Sequence, residues 1–447
     1  MSDTFEYYWF YKLSDSEPLW TPFSIPDCKK LETVYLGNSE CKKVAVKGGR
    51  YDADIEVKFL IPVYWDAPNG LVKRFKWFRN KKEIHDEESS QILKTFNPSI
   101  DSDESDHFDH VCFIVHGIGE SCDLQLRSIL DCTNSFKKKS NEIISANLSL
   151  GFKNDQSQEF NSIEFLPISW HDVIHSDKNK WKDISLPSIP NLRLFSNTAI
   201  SDMIFYANVE FRRKIMEKVV DNLNKYVKIF KERNPYYRGK ISLIGHSLGS
   251  LILFDLLSTF MNEPTESNFE FKVDNFFAIG SPIAFFLTTR GVNLADSNLK
   301  LNCDCFFNIF HQLDPFAYRI EPMVRSEMLL EPIQLSKYNL ELQNLLWGML
   351  SLNRSGKNQH IRVTNNEYMS DDESLFNYQQ ICKGFENNSR LKRIDFAIEK
   401  SAFDHLDYLL FLTAHSSYWD SYDLVLFILK QLYYQVEIEE NRENITK

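Results

Sequence analysis

"LIGHSLGSLI", residues 243–252, decides how the rest of the chain is read. Apolar residues run into Gly-His-Ser-Leu-Gly and resume straight after it. A buried strand, "KISLI", would end there in a tight turn and continue as a buried helix, "SLILFDLL". Gly245 and Gly249 stand two residues before and two after Ser247. With no side chains there, the backbone can bend tightly enough to lift a serine hydroxyl above a sheet edge. The same bend aims the backbone N–H of Leu248 at the oxygen of a reacting carbonyl. Ser247 is therefore the candidate nucleophile, Gly245 and Gly249 its elbow, and Leu248 the first oxyanion donor.

The neighbouring sequence supplies the sheet that such a turn requires. "HVCFIVHGIG" (110–119) and "IEFLPISW" (163–170) read as buried strands, as do "VDNFFAIGSP" (273–282) and "DCFFNIFHQLDP" (304–315). "RIDFAIE" (393–399) alternates like a last strand. Between them, Phe211, Ile215, Val219, Leu223, Tyr226, Val227 and Phe230 recur at helical spacing, with a stop at Asn234-Pro235. "YDLVLFILKQLYY" (422–434) closes as a helix, and "ISLPSIPNLRLF" (184–195) suits a covering loop or broken helix. Strands alternating with helices imply an α/β fold, a mostly parallel sheet covered on both faces in the manner of an α/β-hydrolase. The Asn/Ser-rich stretch 325–392 is expected to be a partly ordered insertion, and 435–447 a polar tail.

A nucleophile of this kind needs an acid and a base later in the chain, in that order. Asp314 follows "FFNIFHQL" and precedes a proline, at the loop end of a strand, and is the chosen acid. Asp395 is the alternative, whereas Asp274 and Asp304 open their strands and sit at the wrong end of a parallel sheet. Of the histidines beyond Asp314, His360 falls in the polar insertion and His405 on a turn facing solvent. His415 lies in the gap before the closing helix and is the chosen base. It would take the Ser247 proton and later protonate the leaving alcohol, with Asp314 holding its tautomer. "HGIG" (116–119) is placed to give a second oxyanion donor, from Gly117 or Ile118, while His116 and His246 brace the two loops.

Composition bounds the rest. The net charge is −11, yet residues 1–82 carry 14 Lys/Arg against 11 Asp/Glu, and 83–109 carry one Lys against nine Asp/Glu. That acidic block reads as an exposed linker, and it offers nothing to nucleic acid. Before it, residues 1–82 are rich in Trp9, Phe10, Tyr11, Trp20, Trp65, Trp77 and Phe78 and in strand-like runs, with a turn at Gly48-Gly49. They form a small aromatic, strand-rich module. "MSDTFEYYWFYK" lacks the pattern of a secretory signal, and no apolar run approaches the ~18 residues that span a bilayer. The 8 cysteines form no zinc pattern. A cytoplasmic chain with reduced thiols and no cofactor is expected.

Several long stretches together resemble one family. "FFNIFHQLDPFAYRIEPM", "RIDF" and "AHSSYWDSYD", downstream of "GHSLGSLILFDLL", are similar to the DDHD-domain phospholipases, the intracellular phosphatidic acid-preferring phospholipase A1 family. "FIVHGIG", "FLPISWHDVIHSD" and "LPSIPNLRLFSN" agree with it, and the segment from "YWFYK" to "VKRFKWF" resembles the family's WWE-like module. The resemblance implies a catalytic core over 110–434, of which 268–434 is the DDHD region. It implies hydrolysis of the sn-1 ester of glycerophospholipids, with phosphatidic acid preferred. It also implies reversible contact with intracellular membranes, and a protein partner for the WWE-like module. The four residues that name the domain fall on Asp314, Asp395, His415 and Asp423, a set the family suggests for a metal. Asp314 and His415 are more economically triad members, so no metal is favoured and Asp395 becomes a loop-bracing carboxylate. The chain departs from the family in having an acidic linker where some members carry a SAM module, and Gln312 where a proline is usual. A neutral-lipid or other carboxylic-ester hydrolase, or a non-catalytic trafficking adaptor, are the competing readings.

Overall fold

A computed structural model describes residues 7–14, 17, 19–37, 42–78, 83–86, 92–93, 107–117, 127–146, 162–174, 186, 188, 201–258, 269–292, 294, 301–324, 331–338, 393–398 and 414–433. The chain divides into two compact units, Met1–Phe108 with Phe230–Tyr236, and Asp109–Ile229 with Tyr237–Lys447.

The N-terminal unit is an antiparallel sheet with one helix. Its strands are β1 (Tyr7–Lys12), β2 (Thr21–Pro22), β3 (Lys43–Val46), β4 (Tyr51–Asp54), β5 (Phe59–Pro62), β6 (Gly70–Phe78), β7 (Glu83–Asp86) and β8 (Ile92–Leu93). They run in the order β2-β1-β6-β5-β4-β3, with β7 on β6 and β8 on β7. The Gly48-Gly49 turn joins β3 to β4 as its glycines predict, both at positive φ. Helix α1 (Ile25–Leu36) had no strong periodic signal, yet Ser24 caps it by accepting the Asp27 N–H, and Pro26 suits its first turn. Trp9 and Phe10 are buried. Trp9 donates through Nε1 to Glu32 (3.0 Å), whose carboxylate also receives Arg74. The side chains of Trp77 and Phe78 lie outside the description.

The acidic block is not wholly a linker. Glu83–Asp86 pairs with β6 and Ile92–Leu93 pairs with it in turn, while Phe108 and Asp109 begin the next unit's first strand. Backbone pairing is indifferent to side-chain sign, and the register sets Lys76 of β6 opposite His85 and Phe75 opposite Asp86. A local charge count misses a partner that lies elsewhere in the sequence.

The second unit holds the sheet expected from the strand–helix alternation. Its elements are β9 (Phe108–Val115), α2 (Ile129–Ala146), β10 (Ser162–Ile168), α3 (Val209–Arg233), β11 (Ile241–His246), α4 (Leu248–Leu257), β12 (Asn275–Ile279), α5 (Ile283–Thr289), β13 (Cys305–His311), α6 (Glu321–Val324), β14 (Ile333–Gln334), β15 (Asp395–Ile398) and α7 (Tyr422–Tyr433). The strand order is β10-β9-β11-β12-β13-β15-β14, and the pairs from β9 through β14 are parallel. Successive side chains point to opposite faces, so both faces can be covered. Ile114, Ile244, Phe277, Phe307 and Phe396 form one face, packed with residues of α2 and α7. On the other face Phe276 stacks on Phe306, and Phe254 of α4 reaches that same ring. Helix α4 is buried throughout, so its one charge, Asp255, needs partners: Arg290 pairs with both its oxygens and Tyr206 donates to it at 2.8 Å.

One sequence expectation changes here. "RIDFAIE" forms the last strand among the described residues, as expected, but β14 lies outside it in the sheet. Residues 331–338, read as the start of an insertion, therefore belong to the sheet, and Leu335 joins its core. Two strand residues are too few to show a period. The rest of that insertion, 325–330 and 339–392, the covering segment 184–195 apart from 186 and 188, and the polar tail lie outside the described residues.

His110 on β9 gives the fold an acid sensitivity. Burial, reinforced by the nearby Lys240 charge, pushes its pKa down to about 3. The unfolded chain takes up that proton near the ordinary histidine value, so the folded state loses ground as pH falls from about 6.5 toward 3. The slope from His110 reaches about 1.4 kcal/mol per pH unit. Denaturant midpoints measured at successive pH values should fall below neutrality, and His110→Gln should flatten the fall.

Candidate active site

The candidate nucleophile's turn is built where β11 meets α4. Ser247 sits between His246, the last residue of β11, and Leu248, the first of α4, with φ 54° and ψ −127°. Such a backbone costs about 1–3 kcal/mol in a residue with a side chain and persists only when its surroundings enforce it. Here the Ser247 N–H donates to Ile279 O (2.9 Å), tying the turn to β12. Ser250 Oγ donates to Ser247 O (2.5 Å) and lies 2.7 Å from Ser281 Oγ. A Cβ on Gly245 would stand 2.4 Å from Ser250 Cα, and one on Gly249 would stand 2.1 Å from Val115 O. Neither backbone can move away without opening the sheet or the helix, so both positions require glycine.

Across the turn, His415 Nε2 lies 2.9 Å from Ser247 Oγ. Its Nδ1 lies 2.9 Å from Asp314 Oδ2 and 3.0 Å from Oδ1. A carboxylate only accepts, which puts the imidazole proton on Nδ1 and leaves Nε2 to accept the serine hydroxyl. Asp314, in the loop after β13, also accepts the Phe316 N–H (2.9 Å) and the Tyr418 hydroxyl (2.6 Å). Ser247, Asp314 and His415 are all buried. Burial pulls the Asp314 pKa upward, but the charge and hydrogen bond of His415, with those of Tyr418 and the Phe316 N–H, hold it below the usual carboxylate range. Asp314 is an anion at neutral pH.

His246 supports His415 from behind. Its Nε2–H donates to the His415 carbonyl at 2.9 Å, and its ring packs against those of His116, His415, Tyr418 and Trp419. Burial, then the neighbouring His415 and His116, drive its pKa well below the ordinary value, so it remains neutral. The His116 carbonyl in turn accepts Trp170 Nε1–H at 2.7 Å.

For an oxyanion, the Leu248 N–H opens α4 and has no acceptor within its own helix. Gly117 lies directly on the turn: a Cβ there would come 2.3 Å from Leu248 N. Ile118, its alternative as second donor, lies outside the described residues, as do His360 and His405.

The family's metal set is divided among separate duties. Asp395, fully buried, accepts Asn308 Nδ2 (2.9 Å) and the N–H groups of Ile320 and Glu321. Glu321 accepts the Ile394 and Asp395 N–H groups in return, a reciprocal brace between the β13 loop and β15. Burial, with the nearby Glu321 charge, raises the Asp395 pKa against those hydrogen bonds. Asp423 accepts the Tyr338 N–H at 2.6 Å. Among the described residues no three His, Cys, Asp or Glu side chains converge as metal ligands, and these four do not fit one ion. Asp274 and Asp304 sit at the opposite strand ends, Asp274 accepting the Ile241 N–H and Asp304 paired with Lys272. Tyr418, Ser250, Ser281 and Glu321 were not singled out from the sequence. Tyr418 lay within the quoted "AHSSYWDSYD", but nothing in that string shows that its ring turns toward Asp314.

Residues 269–371 and 351–433 match the model of the DDHD domain, a stretch that includes Asp314 and His415 and lies downstream of Ser247. The chain is 26% identical to the mouse protein named Triacylglycerol hydrolase DDHD2, over 95% of this chain and 92% of the relative. It is 22% identical to human SEC23-interacting protein, over 96% of this chain and 72% of the relative. With the Caenorhabditis elegans protein named Intracellular phospholipase A1 it shares 25% identity over 72% of this chain and 44% of the relative. The domain match and these relatives support membership of the DDHD-domain phospholipase A1 family.

Proposed function

From that membership, we propose that this lipid ester hydrolase cleaves the sn-1 acyl ester of glycerophospholipids, phosphatidic acid in preference, through an acyl-enzyme on Ser247. The hydrogen-bonded series from Ser247 Oγ through His415 to Asp314 carries the reading, because the first step has the length proton transfer needs and the second holds the ring to receive that proton. Ser247 Oγ adds to the ester carbonyl as its proton passes to His415 Nε2. The Leu248 N–H, with that of Gly117 or Ile118, stabilises the oxyanion. Collapse expels the glycerol oxygen, which takes the proton from His415. Water, deprotonated by His415, then releases the fatty acid and restores the serine. Asp314 keeps the ring oriented and stabilises the imidazolium.

No described helix is long and apolar enough to cross a membrane, so the reading takes substrate at a bilayer surface by reversible contact. The WWE-like reading of the N-terminal unit, and a protein partner for it, belong to the same proposal. The similarity to a triacylglycerol hydrolase along almost the whole chain favours a second reading, neutral-lipid hydrolysis by the same residues.

Fatty-acid release from phosphatidic acid liposomes, phosphatidylcholine liposomes and triacylglycerol emulsions, with and without a chelator, separates these. The expected result is fastest release from phosphatidic acid, at the sn-1 position, unaffected by chelation. Faster release from triacylglycerol would favour the neutral-lipid reading. No release from any lipid by folded protein would leave a trafficking adaptor.

A further inference from the structure

Tyr418 lies three residues after His415, in the short helical turn Ser417–Asp420, and is fully buried. Its hydroxyl stands 2.6 Å from Asp314 Oδ2 and 2.9 Å from the backbone nitrogen of His311. The N–H can only donate and the carboxylate can only accept, so the phenol accepts from His311 and its own proton points at Asp314. The ring has little freedom. It meets His246 edge-on at 5.6 Å, and its Cε2 would lie 2.8 Å from a Cβ on Gly280. The proton is therefore aimed by the backbone at one end and by packing at the other.

We propose that Tyr418 is a positioning residue of this site, its hydroxyl fixing the Asp314 carboxylate and tempering that carboxylate's pull on the His415 ring. The proposal deepens the Ser247, His415, Asp314 reading and rests on it. Asp314 Oδ2 faces two donors, Tyr418 and His415 Nδ1–H, while Oδ1 accepts Phe316 N–H. Each donor draws off part of the carboxylate's charge. Removing the phenol leaves a more basic carboxylate that holds the protonated imidazole more strongly, and leaves the carboxylate freer to turn. Burial, then the Asp314 charge and hydrogen bond, push the Tyr418 pKa well above the ordinary value, so the donor survives throughout the working pH range.

A fluorophosphonate, which labels an activated serine whatever its natural substrate, tests this in the full chain. Labelling rates from about pH 5 to 9 are compared for the natural protein, Ser247→Ala, Tyr418→Phe and protein carrying 3-fluorotyrosine at 418. The natural protein should label and Ser247→Ala should not. Tyr418→Phe should label more slowly, on the order of tenfold, the size expected for one lost hydrogen bond to a charged group. Its rising limb should move to higher pH while its melting temperature remains near that of the natural protein. The fluorinated ring keeps the packing but is a stronger donor, and its limb should move to lower pH. Limbs that coincide with the natural one in both variants overturn the proposal and leave Tyr418 a structural strut. If Tyr418→Phe does not fold, the fluorotyrosine protein alone decides, an unshifted limb again overturning the proposal. An unlabelled natural protein overturns the triad reading itself, and this proposal with it.

Discussion

Ser247→Ala should lower kcat for lipid ester hydrolysis by about four to six orders of magnitude, the largest effect expected of any single change here. The mutation removes the atom to which the acyl group would be bonded, and the nearest described hydroxyls are already engaged. Ser250 Oγ is engaged with the Ser247 carbonyl and Ser281, and Ser281 Oγ also accepts the Ile283 N–H. The fold should be little affected. The variant gives up one hydrogen bond to His415, worth about 1 kcal/mol, and alanine at φ 54° bears the same backbone strain as serine. Circular dichroism and thermal melting should therefore match the natural protein while fatty-acid release disappears. Residual activity above about one part in a hundred in a cleanly purified, folded variant would exclude Ser247 as nucleophile.

Asp314→Asn should lower kcat by about four orders of magnitude while leaving the shape of the site intact. The direction of the fault follows from the surrounding donors. Oδ1 accepts the backbone N–H of Phe316, which cannot reverse its role, so the asparagine must keep its oxygen there. Its NH2 then occupies the Oδ2 position, facing Tyr418 and His415 Nδ1. Tyr418 can rotate its hydroxyl to accept. His415 Nδ1, 2.9 Å from that NH2 and 3.0 Å from the retained oxygen, relieves the clash with the new donor by giving up its proton, which moves to Nε2 and points at Ser247. The base then carries its proton on the wrong nitrogen. Single-turnover kinetics should show acylation failing with substrate affinity nearly unchanged. A loss below tenfold would assign the acid's role to another carboxylate, and Asp395→Asn would be measured next.

The outcomes at individual residues divide along a physical line. The turn at Ser247 was legible because its demands are local. A bend this tight excludes side chains at 245 and 249 and needs a strand before it and a helix after it, all within one stretch of sequence. The parallel sheet was legible for a related reason: strands covered on both faces are mostly apolar, as in Phe276–Ile279 of β12. Chain order and strand ends also made Asp314, with Asp395 as alternative, and His415 the candidates for acid and base.

What the sequence determined, then, were elements whose causes lie within about ten residues of one another. The tertiary structure decided what depends on distant partners. It paired Glu83–Asp86 with β6, although its charge alone spoke for a linker, and set β14 outside β15. It spent Asp395 on a brace with Glu321 and Asp423 on Tyr338, which divides the four residues the family groups together. It also turned Tyr418 toward a carboxylate 104 positions earlier in the chain. Hydrogen bonds and ion pairs act over about 3 Å in space whatever the separation along the chain. A side chain's duty is therefore settled by which backbone the fold brings within that distance.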